Sequence, residues 1–188
     1  MEPVLFYGTE KDRETETVVA RAIAAAGGRV VSVSEKAVEV GEASGNPPEF
    51  LLLRFGTAPA VAAGRGIVVM KQELPLLTAA ARPLPLPGGF VAVADSANAE
   101  AVELLRKTGV CAVICGMSQK DSVTFSSLDA ESAVVSVQRE LRTLRGGTVE
   151  PGEISVAFTA EPPSGYPLLA AVTVLLLGEA LGGRTLRL

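Results

Sequence analysis

The chain repeatedly writes short, unbroken apolar runs, at Val4–Tyr7, Phe50–Leu53, Gly66–Met70 and Phe90–Ala94. A strand with one wet face alternates apolar and polar residues. One that is apolar throughout needs cover on both faces, the condition of a parallel sheet held between layers of helix. The segments between the runs agree. Thr9 to Glu16 is polar and acid-rich, which suits the positive end of a helix dipole. Val18, Val19, Ala22, Ile23 and Ala26 then recur at helical spacing before Gly27-Gly28 stops the helix. Arg29 to Ser34 reads as the second strand, completing a strand–helix–strand unit of about thirty residues.

The same rhythm continues. The small residues Ala58 to Ala63, followed by Gly64, are too few for a long helix, and Pro83, Pro85, Pro87 and Gly88-Gly89 form a stiff surface connector. Ala97 to Thr108 is predicted as a helix with Ala101, Leu104 and Leu105 inward, ended by Gly109 and followed by a strand through Cys111 and Cys115. From Ser122 the pattern changes. Val123–Leu128 and Ala133–Val137 are spaced for a hairpin around Asp129, and Ile154–Phe158 is a further strand. Gln138 to Arg142, with alternating charge, reads as a surface strand, and Gly146-Gly147 as a turn. Pro167 is well placed in the first turn of a closing apolar helix. The expected fold is one three-layer α/β domain over residues 1–188. Its mostly parallel, Rossmann-like part covers about 1–116, with an antiparallel extension and the closing helix at 117–188.

Composition narrows function. With 17 basic and 21 acidic residues the net charge is −4, so there is no electrostatic case for nucleic acid. Histidine is absent, which removes histidine triads, histidine-ligated metals and histidine acid–base catalysis. Cys111 and Cys115, four apart on a strand, lie ~13 Å from one another, too far for a disulfide. They read as two buried small hydrophobes in a reducing cytoplasm, with a reactive thiol at Cys115 beside Gly116 as the alternative. No leader is visible at Met1-Glu2-Pro3-Val4, and the apolar stretch Pro167–Leu181 is shorter than the ~20 residues of a membrane span. The apolar composition and edge hairpin lead us to expect a homodimer or another protein partner.

Three phrases in order carry a family resemblance. Val4-Leu5-Phe6-Tyr7-Gly8-Thr9 precedes a helix whose end reads Ala24-Ala25-Ala26-Gly27-Gly28-Arg29-Val30. Val91-Ala92-Val93-Ala94-Asp95-Ser96-Ala97-Asn98 precedes a helix and then Val113-Ile114-Cys115-Gly116-Met117-Ser118. Gly165-Tyr166-Pro167-Leu168-Leu169-Ala170-Ala171-Val172 runs to Leu176-Leu177-Gly178. In this order the chain resembles the central, ATP-binding domain of the Mur ligase and folylpolyglutamate synthase family. The stretch Gly116 to Thr124 with Gln138-Arg139 is also similar to a motif of small uncharacterised bacterial proteins, which implies no activity.

The resemblance implies an ATP site, yet the residues it needs are missing. A phosphate loop requires glycines, so that backbone N–H groups face the phosphates, and a lysine reaching the β/γ-phosphates. Only Gly8 and Thr9 match; Asp12 stands at the lysine position, and Glu10, Asp12 and Glu14 bring negative charge where phosphate must sit. The family's histidine has no counterpart, and Glu73 alone is a poor Mg²⁺ ligand. The chain matches neither the substrate domain nor the amino-acid-binding domain of the family. The expectation is therefore a non-catalytic binding or assembly module with no cofactor and no metal.

The alternative is an enzyme or sensor for a small anionic molecule. Its site would be the Gly116–Thr124 loop, at the carboxyl end of a parallel strand, where open α/β sheets place their ligands. Lys120 would meet the anion, Ser118, Ser122 and Thr124 would supply hydroxyls, and Gly8 and Thr9 would hold a small anion at the first helix. Ser118 and Lys120 together lack the orienting third group that nucleophilic catalysis requires.

Overall fold

A computed structural model describes residues 1–33, 38–41, 47–55, 63–75, 83–183 and 185–188. Among the described residues, eleven strands form one sheet in the order β13-β12-β9-β8-β7-β6-β5-β1-β4-β2-β3. Its parallel centre is β1 (Glu2–Tyr7), β2 (Arg29–Val33), β4 (Glu49–Phe55), β5 (Gly66–Met70), β6 (Phe90–Asp95) and β7 (Cys111–Cys115). The short β3 (Val38–Val40) is antiparallel to β2 at one edge. Toward the other edge, β8 (Val123–Leu128) and β9 (Ser132–Val137) form the expected hairpin, and β12 (Gly152–Ala157) pairs antiparallel with β9. β10 (Leu141–Arg142) and β11 (Thr148–Val149) make a separate two-stranded ribbon.

The extension is antiparallel across β8, β9 and β12, as expected; β8 joins the parallel sheet through the Cys115–Val123 pair, and the short β13 (Thr185–Arg187) adds a parallel strand beside β12. One feature of the region differs from expectation. The charged Gln138–Arg142 stretch is a strand only at Leu141–Arg142, because Gln138 to Glu140 form an exposed corner leaving β9. The expectation for Ala58–Ala63 falls almost wholly outside the described residues.

Helices α1 (Glu14–Ala25) and α3 (Gly165–Leu177) lie on one face of the sheet and α2 (Ala99–Thr108) on the other. This three-layer arrangement explains the unbroken apolar runs. In β1, Phe6 packs with Ile23, Phe50 and Leu168 on the α1/α3 face, while Leu5 and Tyr7 pack with Met70, Phe90 and Leu104 on the α2 face. Every residue of α3 from Tyr166 to Leu177 is buried, so α3 is a core helix with no wet stripe. No helix among the described residues is long and apolar enough to cross a membrane.

At the amino ends of the strands the buried Glu2 carboxylate holds Arg65 by two hydrogen bonds of 3.0 and 3.2 Å and Arg145 at 3.3 Å. These arginine contacts tie β1 to two distant loops at the end of the sheet away from the site below.

Candidate functional site

Two loops at the carboxyl ends of the parallel strands carry the residues singled out above, but they are separate places. β1 and β7 stand three strand positions apart, so the Gly8-Thr9 loop and the Gly116 loop are ~14 Å from each other across β5 and β6.

The first loop is occupied by its own chain. A Cβ on Gly8 would sit 2.5 Å from Lys71 Cβ and 2.7 Å from the Glu73 carbonyl, so only glycine allows this approach to the segment leaving β5. The Thr9 amide donates to the Glu73 carbonyl (2.8 Å), and the Asp12 carboxylate accepts the Gln72 amide (2.8 Å). Lys71, buried at 2 % exposure, donates from Nζ to the Thr9 carbonyl (2.9 Å) and forms an ion pair with the equally buried Glu16. Glu16 also holds Arg54 Nε at 2.5 Å. The far side of the 71–73 segment is fixed by Asn98, whose amide donates to the Lys71 and Gln72 carbonyls while its oxygen caps α2 at the Ala101 amide.

The Gly116 loop is built around Asp121, which is 5 % exposed. Its Oδ2 accepts the Ser118 amide at 2.9 Å and the Ser96 hydroxyl at 3.1 Å, joining the exits of β6 and β7. Gly116 is required here by contact: a Cβ would lie 2.1 Å from Ser96 Oγ and 2.4 Å from Asp121 Oδ2. Beside this junction is a cavity of about 490 Å³ lined by Asp95, Ser96, Ala97, Gly116, Met117, Ser118, Phe125, Gly165, Tyr166 and Leu169. Of the predicted ligand residues, Gly116 and Ser118 line it, whereas Lys120, Ser122 and Thr124 do not. Lys120 is exposed, with its carbonyl taken by Arg139 (2.6 Å), and Ser122 and Thr124 are buried in the β7–β8 join.

Sequence reasoning missed Tyr166, Asp95, Asp121 and Lys71 as site-building residues. Tyr166 is buried, and its hydroxyl donates to the Met70 carbonyl (2.5 Å) with the Val93 carbonyl 3.2 Å away. Burial first, then the nearby Cys115, Asp95 and Asp12, holds its phenol well above the usual range, so it stays a neutral donor. The Ser118-x-x-Asp121 spacing was a visible signal for Asp121, but it serves a loop rather than a helix start. A lysine directly after the buried run Ile67–Met70 was the signal for Lys71.

The cysteines divide. Cys111 is exposed at the start of β7, against the expectation of two buried thiols, because the first residue of the strand lies outside the helical cover. Cys115 is fully buried, its Sγ 3.5 Å from the Thr173 hydroxyl, and burial pushes its thiol up to about 12. A thiol reagent is expected to modify Cys111 alone in the native protein and Cys115 only after denaturation, read by intact mass. The raised value also sets a pH dependence. Below pH 9.0, the ordinary value, both folded and unfolded thiols hold the proton, and this contribution is fully present. As pH rises toward about 12 the unfolded thiol ionises first, and the contribution is lost. Between about pH 8 and about pH 10 the wild type should lose ~1.4 kcal/mol more stability than Cys115→Ala in denaturant titrations. Equal losses would show that Cys115 ionises freely in the fold.

A second cavity, of about 420 Å³, lies at the other end of α3, where the Thr143 hydroxyl donates to Glu179 Oε1 at 2.5 Å. Among the described residues no group of histidine, cysteine and carboxylate side chains is placed to hold a metal.

No protein-family model matches the sequence, and no curated protein matches it. Solved structures do match the fold. A murein peptide ligase from Psychrobacter arcticus superposes with a TM-score of 0.57 at 11% identity, over 97% of this chain and 44% of that one. The UDP-N-acetylmuramate:L-alanyl-γ-D-glutamyl-meso-diaminopimelate ligase from Neisseria meningitides gives 0.56 at 13% identity, over 97% and 62%. A bifunctional folylpolyglutamate synthase/dihydrofolate synthase from Yersinia pestis, complexed with AMPPNP and manganese, gives 0.55 at 13% identity, over 95% and 53%. The chain thus spans about half the length of the proteins it resembles in structure. At this level of identity the likeness is one of fold: the α/β domain is a Mur ligase and folylpolyglutamate synthase-like fold relative.

Proposed function

We propose that this chain is a non-catalytic, Mur-ligase-like binding module that has given up nucleotide binding at the β1–α1 loop. The observation that carries the proposal is the buried Lys71–Glu16 pair, with Lys71 Nζ also bonded to the Thr9 carbonyl. Phosphate needs free N–H donors and an unneutralised cation. Here the Thr9 amide is taken by the Glu73 carbonyl, Asp12 turns its carboxylate to Gln72, and the buried Lys71 ammonium is neutralised by Glu16. The first turn of α1 adds Glu14, whose charge repels phosphate at the helix end that would otherwise attract it. Two free thiols suit a reducing, cytoplasmic setting.

The test is thermal unfolding with Mg-ATP and Mg-ADP. A ligand at a hundred times its Kd stabilises the native state by ~2.7 kcal/mol. The expected result is no shift with either nucleotide at millimolar concentration. A saturable rise in Tm with Mg-ATP, lost in Gly8→Val, would overturn the proposal.

A further inference from the structure

The cavity of about 490 Å³ at the ends of β6 and β7 has a chemistry opposite to the anion site that the Gly116–Thr124 loop suggested. Among the described residues its lining contains one charged side chain, Asp95, together with Phe125, Tyr166, Leu169 and the exposed Met117. Asp95 Oδ1 accepts the Ala97 amide at 2.9 Å, and the carboxylate forms no ion pair among the described residues. Neither Lys120 nor Arg139 lines the cavity, and Arg139 donates to the Lys120 carbonyl. Carboxylates stand at the wall: Asp95 lines it, and the buried Asp121 accepts hydrogen bonds from Ser118 and Ser96, which both line it. At the amino end of α3 the Ser164 amide already has a carboxylate partner, donating to Glu14 Oε1 at 2.9 Å.

We infer that this cavity binds an organic ammonium: a primary or quaternary amine on a compact apolar or aromatic body, with the cation at Asp95 and the body against Phe125, Tyr166 and Leu169. A carboxylate at hydrogen-bonding distance favours the charged amine, aromatic faces attract it through their quadrupole, and the mostly apolar wall takes up the remainder of the ligand. The Ser118 hydroxyl, whose oxygen accepts the Lys120 amide at 3.2 Å, keeps its proton free to meet a second polar group on the ligand. The inference rests on the binding-module reading and names the ligand class of that module.

The probes are phenethylamine, its trimethylammonium analogue and 3-phenylpropionate, which present a similar aromatic body with opposite charge. Met117 is 76% exposed and lines the cavity, so its methyl resonance reports occupancy, with Met1 at the far amino terminus as internal control. A saturable Met117 shift is expected with both amines and none with 3-phenylpropionate. Asp95→Asn keeps an oxygen for the Ala97 amide and should weaken amine binding at least tenfold, while Phe125→Leu should weaken the quaternary amine more than the primary one. Three results would each sink the inference: no saturable shift with either amine, equal or tighter binding of 3-phenylpropionate, or unchanged binding in Asp95→Asn. Mg-ATP is titrated in the same samples. A nucleotide response with no amine response would defeat the binding-module reading and this inference alike, whereas silence to every probe would defeat the inference alone.

Discussion

Glu16→Ala should destabilise the protein by ~3–5 kcal/mol, because it leaves the Lys71 ammonium buried without a countercharge. The Lys71 side chain is 3% exposed, and its remaining contact is the neutral Thr9 carbonyl. For a chain of 188 residues this corresponds to a fall in Tm on the order of 10 °C. Arg54, at 41% exposure, also loses its partner but is hydrated enough to add little. The companion experiment removes both charges. Glu16→Leu with Lys71→Met should recover most of the loss, since apolar residues of similar volume often replace a buried ion pair without penalty. A single-variant loss below ~1 kcal/mol in chemical denaturation would mean that Lys71 reaches water, and the loop would not be locked as described.

The second large effect is expected in α3. Leu168 is fully buried between the sheet and α1, and Leu168→Ala should cost ~3–5 kcal/mol through lost transfer energy and a residual void. Leu176, on the same helix, is 8% exposed and borders the cavity of about 420 Å³. Truncation there enlarges a space already open to water, so Leu176→Ala should cost nearer ~2 kcal/mol. Equal losses at the two positions would show that the second cavity closes around Leu176 in solution.

The first of these effects lies where sequence reading was weakest, whereas α3 was legible from its apolar run. Apolar runs and their punctuation specified the central strands well, because burial on both faces leaves a sequence mark at every position: Leu5 and Phe6 serve opposite cores and are both apolar. Short edge elements leave no such mark. β10, β11 and β13 are two or three residues long and are held by neighbours rather than by their own pattern. The site was legible as a place and not as a chemistry. The Gly116 loop was found through its position after a parallel strand, but which side chains face the cavity depends on Asp121 drawing Ser118 and Ser96 together. That contact spans 25 residues for Ser96 and cannot be inferred from local spacing. The Lys71–Glu16 pair, linking the exit of β5 to the first turn of α1, escaped notice for the same reason.

The strand order carries a consequence for how the molecule is made. From β1 outward, β5, β6, β7, β8, β9, β12 and β13 are laid down in the order in which they are synthesised, each beside its predecessor in the sheet. A nascent chain can therefore grow this half of the sheet by accretion, one strand docking on the last as it leaves the ribosome, with little need for late strands to insert between early ones. The helix that seals the α1 face breaks this order. α3 touches α1, β5, β6, β7 and β8, yet it is translated after all of them. Until residue 177 has emerged, the apolar face of four strands waits without its lid. The interval between the synthesis of β8 and that of α3 is when this chain is most exposed to aggregation and most dependent on chaperones.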